Sequence, residues 1–228
     1  MGEGGGCVMV KLYSGTPGSG KSLHVTRQIL LKLRQGQEVV SNYPINFTDK
    51  EIAKGFKDRF YYVPTELITV KNLMQFAVVR GYVKDKKESR CLVVIDEAGG
   101  SFNCRDFGKS DRTEWIKLFS QHRKLGFNFV LVAQNDRMLD RQIRSMIEME
   151  YKHRTAQNMY WWLKLMPWKL FVAVEYFYGI HFRTDVEFFT YTKKLGQRYD
   201  SMKLFDGFAL PIFENLGPDE VDCRAIFV

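Results

Sequence analysis

Gly15-Thr16-Pro17-Gly18-Ser19-Gly20-Lys21-Ser22 decides the fold of this 228-residue chain. The stretch fits G-x-x-x-x-G-K-[ST] throughout, the pattern of a loop that wraps the phosphates of a nucleoside triphosphate. Glycines let the backbone curl until successive N–H groups point at phosphate oxygens. A helix opening at the end of the loop aims its positive terminus at the same charge. In such a loop Lys21 reaches the β- and γ-phosphates and the Ser22 hydroxyl takes Mg²⁺, which prefers oxygen ligands. Gly15, Thr16, Pro17, Gly18, Ser19, Gly20, Lys21 and Ser22, with Leu23 just behind them, form the expected binding segment for ATP.

A match of this length can arise by chance, so its surroundings matter. Val8 to Tyr13 is short and mostly apolar and predicts a strand; a helical pattern runs from Lys21 to about Arg34, with Gly36 as its stop. Strand, loop and helix in that order are the context in which this motif is expected to bind phosphate.

Two further strand ends carry polar residues. Leu92-Val93-Val94-Ile95 is wholly apolar, as expected of a strand buried on both faces, and ends in Asp96-Glu97. At the carboxyl end of a buried strand Asp96 would hold Mg²⁺, and Glu97 is placed to act as general base on water. Paired acids favour hydrolysis over transfer to a bound acceptor. No NKxD guanine-reading motif occurs, which favours ATP over GTP. Asn128 to Ala133 is a third buried strand and ends in Gln134. Where an extra strand lies between the first strand and the acidic one, a polar residue at this tip contacts the γ-phosphate or the lytic water, so Gln134 is the candidate sensor.

Between these landmarks, Glu38 to Tyr43 predicts a strand ended by Pro44, and Thr48 to Phe56 a short helix. Thr65 to Val79 carries apolar residues at a period near 3.6 and predicts a helix. Lys84 to Arg90 is a charged linker, Asp111 to Leu125 a helix, and Arg141 to Glu150 a helical stretch. Alternating strands and helices predict an α/β fold with a mainly parallel sheet, a P-loop NTPase of the extra-strand, RecA/AAA-like class. From Tyr151 the texture changes: Leu170–Tyr178 and Val186–Thr192 predict two aromatic strands around Gly179–Asp185. The expected organisation is an ATPase domain over 1–150, an aromatic β-hairpin extension of the same domain over 151–202, and a tail over 203–228.

Nearly half the residues are apolar, which provides for a core and excludes a wholly disordered chain. A formal charge of +8 suits phosphate polyanions, although no cationic run is long enough to depart from an ordinary solvated surface. Cys7, Cys91, Cys104 and Cys223 form no CxxC pair, so reduced thiols are expected. The start, Met1 to Gly6, is Gly-rich and is not a secretory signal. The most apolar stretch, Met159 to Ile180, is interrupted by Lys164, Pro167, Lys169 and Glu175, so the chain is not expected to span a bilayer.

Taken in order, GTPGSGKS, VVSNYP, LVVIDEAGG, SQHRKLGFNFVLVAQ and IRSMIE resemble the zonular occludens toxin (Zot) family, which includes the gene I assembly proteins of filamentous bacteriophages. The resemblance runs from about Val8 to Glu150 and extends towards Tyr199-Asp200-Ser201. It implies an ATPase at the cytoplasmic face of the bacterial host inner membrane that powers assembly and extrusion of filamentous virions. Phage coat and assembly proteins are its implied partners. Members of the family usually carry a transmembrane helix after the ATPase domain and then a periplasmic part. Neither is seen here, so membrane attachment is expected through a segment absent from this chain or through the aromatic region Trp161–Tyr178.

Motors of this kind often act across subunit boundaries, an arginine of one subunit stabilising γ-phosphate charge in the next. Arg123 and Arg144 are the candidates, with Arg141 behind them, and the corresponding assembly is a homo-oligomeric ring, a hexamer. Trp161, Trp162, Trp168, Phe171, Tyr176, Phe177 and Tyr178, with Lys164 and Lys169, suit a core or subunit interface, a membrane surface, or stacking on single-stranded DNA. Two alternatives to a motor stay open: a small-molecule or nucleotide kinase, and a non-hydrolysing, nucleotide-dependent interaction module.

Overall fold

The described residues of the chain build one eight-stranded sheet. Its elements in order are β1 (Val10–Ser14), α1 (Lys21–Arg34), β2 (Glu38–Ser41), α2 (Asp49–Ile52), β3 (Phe60–Tyr62), α3 (Val70–Val79), α4 (Tyr82–Asp85), β4 (Cys91–Ile95), α5 (Ala98–Ser101) and α6 (Lys109–Gln121), then β5 (Phe127–Val132), α7 (Arg141–Arg144), β6 (Met149–Thr155), β7 (Leu170–Phe177), β8 (Phe182–Thr190) and α8 (Lys193–Gly196). This computed structural model describes residues 9–85, 88–103, 109–156, 169–180 and 182–199. Trp161, Trp162, Trp168 and the 203–228 tail lie outside the described residues.

The strand order is β3-β2-β4-β5-β1-β6-β7-β8. The first six strands in that order are mutually parallel, and β5 stands between β1 and β4, as the extra-strand class requires. β7 and β8 then continue the sheet antiparallel from β6, so the aromatic hairpin is part of the sheet rather than set apart from it.

Side chains along a strand point alternately to the two faces, and the apolar runs of β4 and β5 supply both. Val93, Ile95, Phe127, Phe129 and Leu131 join the core with Leu73 and Phe76 of α3 and Trp115, Leu118 and Phe119 of α6. Leu92, Val94, Val130 and Val132 join the opposite core with Val25, Ile29, Leu30 and Leu33 of α1. Gly36, with φ 78°, reverses the chain after α1 as expected. Buried Glu38 is met by Arg80 and by the Tyr82 hydroxyl.

One predicted element is wrong in type. Arg141 to Glu150 is not helical throughout: the helix stops at Arg144, and Met149–Thr155 is a strand parallel to β1. Its sequence, MEYKHRT, has no apolar alternation to announce it. Its polar side chains are matched instead by distant partners, as with the buried bond from Ser14 Oγ to Glu150 Oε1 at 2.7 Å. β3 also goes unannounced, being only three residues long.

Candidate functional site

Because β4, β5 and β1 are parallel neighbours in the sheet, their carboxyl ends open on one edge, and the loop, the acidic pair and Gln134 sit there. The 15–22 loop leaves β1, Asp96 and Glu97 leave β4, and Gln134 leaves β5. The loop is tied to the third tip directly, the Gly15 N–H donating to the Gln134 carbonyl at 3.2 Å. Gln134 itself is exposed.

Two of the loop glycines are required by their neighbours as well as by their backbone. Gly15 (φ +147°) lies under the His153 carbonyl, where a Cβ would come within 2.6 Å of the oxygen. Gly20 (φ +92°) lies under the Phe171 ring, where a Cβ would come within 2.7 Å. The backbone carbonyl over Gly15, the ring over Gly20 and the two positive φ values all disfavour a side chain at these positions. Lys21 Nζ donates to the carbonyls of Gly15 (2.6 Å) and Thr16 (3.1 Å), holding the amine over the loop. Burial lowers the Lys21 pKa and the charge of Asp96 opposes that shift, so the two groups sense each other across the site. The buried Ser19 Oγ, 2% exposed, has no hydrogen-bond partner among the described residues. An unpartnered buried hydroxyl, an amine and a glycine-shaped cradle fit a polyphosphate.

Asp96 is held from both sides. Its N–H donates to Asn42 Oδ1 at 2.7 Å, and Asn42 Nδ2 donates back to its carbonyl at 3.0 Å. Asn42 also reaches Thr65 Oγ1 at 2.9 Å. It thus fixes the tip of β4 against the end of β2, a positioning role that the sequence signals only as the Asn of a strand-ending NYP. Burial raises the Asp96 carboxyl, against the lowering effect of the Glu97 N–H bond to Oδ1 at 2.9 Å. A half-buried carboxylate oxygen at a strand tip suits a cation, and the oxygens of Asp96 and Ser22 are the donor type Mg²⁺ takes. Glu97 is exposed and sits at φ 51°, ψ 39°, left-handed backbone that a non-glycine residue adopts at a cost.

The arginines are placed elsewhere. Arg123 follows α6 and precedes β5, at the edge of the sheet opposite the loop, and binds Glu148 Oε2 at 3.0 Å. It cannot reach a nucleotide held by its own chain. His122 lies 3.7 Å from the same carboxylate, so the HRKLG segment clamps the end of α6 to the start of β6. Arg144 ends α7, just ahead of β6, with Nη1 3.8 Å from Asp136 Oδ2.

A buried histidine pair supports the loop from below and had no signal in the sequence. His24 of α1 and His153 of β6 are 0% and 2% exposed, with His24 Nδ1 2.8 Å from His153 Nε2. His153 Nδ1 faces two carbonyls, Ser14 at 3.2 Å and Tyr151 at 2.9 Å. Carbonyls only accept, so Nδ1 carries the proton and Nε2 accepts from His24. His24 Nε2 in turn lies 3.3 Å from Glu187 of β8, which also binds Arg27 at 2.7 Å. The hairpin is therefore wired to α1 and to the base of the loop.

Burial, with the neighbouring His24 second, lowers the His153 pKa from 6.5 to about 3. The unfolded chain takes up this proton near pH 6.5 and the folded chain does not, so stability falls as pH drops from about 6.5 towards 3. Between pH 7 and pH 5 the loss should approach about 2 kcal/mol, at about 1.36 kcal/mol per unit. Asp96, raised by burial, works in the opposite sense. Urea unfolding of the native chain and of His153→Gln at both pH values isolates the histidine. An equal loss in both proteins would show that His153 does not drive it.

Residues 9–162 match the family model described as Zonular occludens toxin (Zot). The chain is 28% identical over 138 residues to the Gene 1 protein of Enterobacteria phage M13, covering 60% of this chain and 39% of that protein. It is 25% identical over 136 residues to the Gene 1 protein of Salmonella phage IKe, covering 59% and 37%. The chain thus matches less than half the length of these relatives. Among solved structures, the N-terminal domain of zonular occludens toxin from Neisseria meningitidis aligns with a TM-score of 0.49 at 19% identity, covering 85% of this chain and 99% of that one. B204, the DNA-packaging ATPase from Sulfolobus Turreted Icosahedral Virus, aligns at 0.48 and 13% identity, covering 79% and 96%. With a family model spanning more than half of its residues, and with the loop, the acidic tip and the third polar tip on one edge of its sheet, the chain belongs to the zonular occludens toxin (Zot) family.

Proposed function

We propose that the chain is the ATP-hydrolysing part of a motor for assembly and extrusion of filamentous bacteriophage at the host inner membrane. The observation that carries this reading is the meeting of the Gly15–Ser22 loop, Asp96-Glu97 and Gln134 on adjacent parallel strands, in a chain similar to phage gene 1 proteins. The loop N–H groups and Lys21 bind the phosphates. Ser22 and Asp96 hold Mg²⁺, which shields phosphate charge when bound. Glu97 takes the proton of the attacking water, and Gln134 orients that water or senses the γ-phosphate.

Arg123 and Arg144 act on the nucleotide of a neighbouring subunit in a homo-oligomeric ring, a hexamer. Among the described residues no helix is long and apolar enough to cross a membrane. Attachment to the inner membrane is proposed to involve the aromatic region Trp161–Tyr178 or a segment not contained in this sequence. Coat and assembly proteins, with single-stranded DNA, are the proposed partners.

Phosphate release from ATP, measured with Mg²⁺ and with or without single-stranded DNA and anionic vesicles, tests this alongside the sedimentation profile. Release without added acceptor, from an oligomer, is the expected result. Release only when an acceptor is supplied would make the chain a kinase. Nucleotide binding by an oligomer with no turnover would make it an interaction module.

A further inference from the structure

A crevice of about 290 Å³ opens directly beside the phosphate-binding loop. Its floor is the first two turns of α1, with Ser22, Leu23 and Thr26. One wall is Phe171 of β7, the ring that covers Gly20. The other walls come from the segment after β8, Tyr191, Leu195, Gly196 and Tyr199, and from Tyr43 after β2. The volume is near the lower limit of about 300 Å³ for small-ligand pockets.

The walls are held in place. Tyr199 stacks on Tyr43 with ring centroids 4.1 Å apart at 11°. The Tyr43 hydroxyl donates to the Ser22 carbonyl at 3.0 Å, joining that stack to the loop's own helix. The Tyr191 N–H donates to the Lys169 carbonyl at 3.1 Å, and its ring lies against Gly196, where a Cβ would collide with it. Tyr191 is 47% exposed at the mouth.

We infer that this aromatic crevice receives the base of the nucleotide whose phosphates the loop holds, and grips it by stacking without reading its edge. This rests on the reading of Gly15–Ser22 as a triphosphate site. The position supports it: Ser22 belongs to both the cradle and the crevice, so a ligand leaving the loop past Leu23 enters between the rings. The chemistry sets the class. Aromatic and aliphatic walls suit a flat heterocycle. None of the nine lining residues is a carboxylate, side-chain amide or guanidinium, the groups that read a base edge through paired bonds, and the Thr26 and Tyr43 hydroxyls are bonded to each other and to the Ser22 carbonyl. The ligand class is therefore purine nucleoside triphosphates generally, not ATP alone. The segment around α8, which lies outside the family match, thus becomes part of the nucleotide site.

Equilibrium binding of ATP, GTP and inorganic tripolyphosphate to the native chain, Tyr191→Ala, Leu195→Ala and Lys21→Ala tests the inference. ATP and GTP should bind the native chain within about tenfold of each other. Tyr191→Ala and Leu195→Ala should weaken both nucleotides, Tyr191→Ala by roughly tenfold, and leave tripolyphosphate unchanged. Photolabelling with 8-azido-ATP should mark residues 191–199 and be blocked by GTP. The inference is overturned if neither variant weakens nucleotide, if tripolyphosphate weakens equally, if GTP binds more than about a hundredfold worse than ATP, or if the label falls elsewhere. Tripolyphosphate that fails to bind the native chain, or binds Lys21→Ala equally well, would overturn the phosphate-loop reading instead.

Discussion

Replacing Glu97 by Gln lowers ATP turnover by about 10²-fold or more while ATP still binds, because a general base contributes about 10²–10⁴ to rate and nothing to phosphate recognition. Gln keeps the shape and hydrogen-bonding reach of Glu but cannot accept a proton at neutral pH. The site divides labour between its two acids. Asp96 is half-buried and its backbone is held by Asn42, which suits the proposed metal ligand; Glu97 is exposed at the tip, which suits the proposed base. The backbone adds a second readout. Glu97 sits at φ 51°, a conformation that costs a side-chain-bearing residue about 1 kcal/mol relative to glycine. Glu97→Gly should therefore raise the unfolding free energy by up to about 1 kcal/mol while turnover is lost. Strain kept where the fold would be steadier without it is accounted for by the chemistry of the side chain. Single-turnover kinetics and urea unfolding measure the two effects. Native turnover in Glu97→Gln would remove Glu97 as the base.

Replacing Lys21 by Ala abolishes measurable ATP binding. A bond to a charged group is worth about 1.5–3 kcal/mol, and Lys21 is expected to make at least two to the β- and γ-phosphates, so affinity should fall by about 10²-fold or more. The amine already donates to Gly15 and Thr16 carbonyls within its own loop, so no distant contact is broken by its removal. The unfolding midpoint without nucleotide should therefore stay near the native value. This separates loss of the ligand from loss of the fold. Isothermal titration with ATP and Mg²⁺ reads the affinity, and retention within threefold would mean that the loop does not hold phosphate as described.

The elements legible beforehand share one property. β1, β4 and β5 are apolar on both faces, and α1 carries a helical stripe between a glycine-rich start and Gly36; each is specified by residues within a few positions of each other. The phosphate loop is legible for the same reason, since its glycines, lysine and serine act through local backbone geometry. β6 was not legible. Read alone, MEYKHRT lacks a core-facing pattern, and its buried Glu150 and His153 are satisfied by Ser14 and His24, more than a hundred residues away. The arginines were legible as residues but not as places. Nothing local says that Arg123 lies across the sheet from the loop, bound to Glu148.

The sequence by itself determined the glycine-rich loop pattern at Gly15–Ser22 and the two polar strand tips, Asp96-Glu97 and Gln134, that the proposed nucleotide site draws on. Local geometry and apolar periodicity carry that information. Only the tertiary structure decided how the site is supported and bounded: Asn42 clamping Asp96, His153 and Phe171 closing over Gly15 and Gly20, and the 191–199 segment walling the crevice beside Ser22. Those contacts join residues far apart in the chain, and they exist only once the sheet has brought its strands side by side.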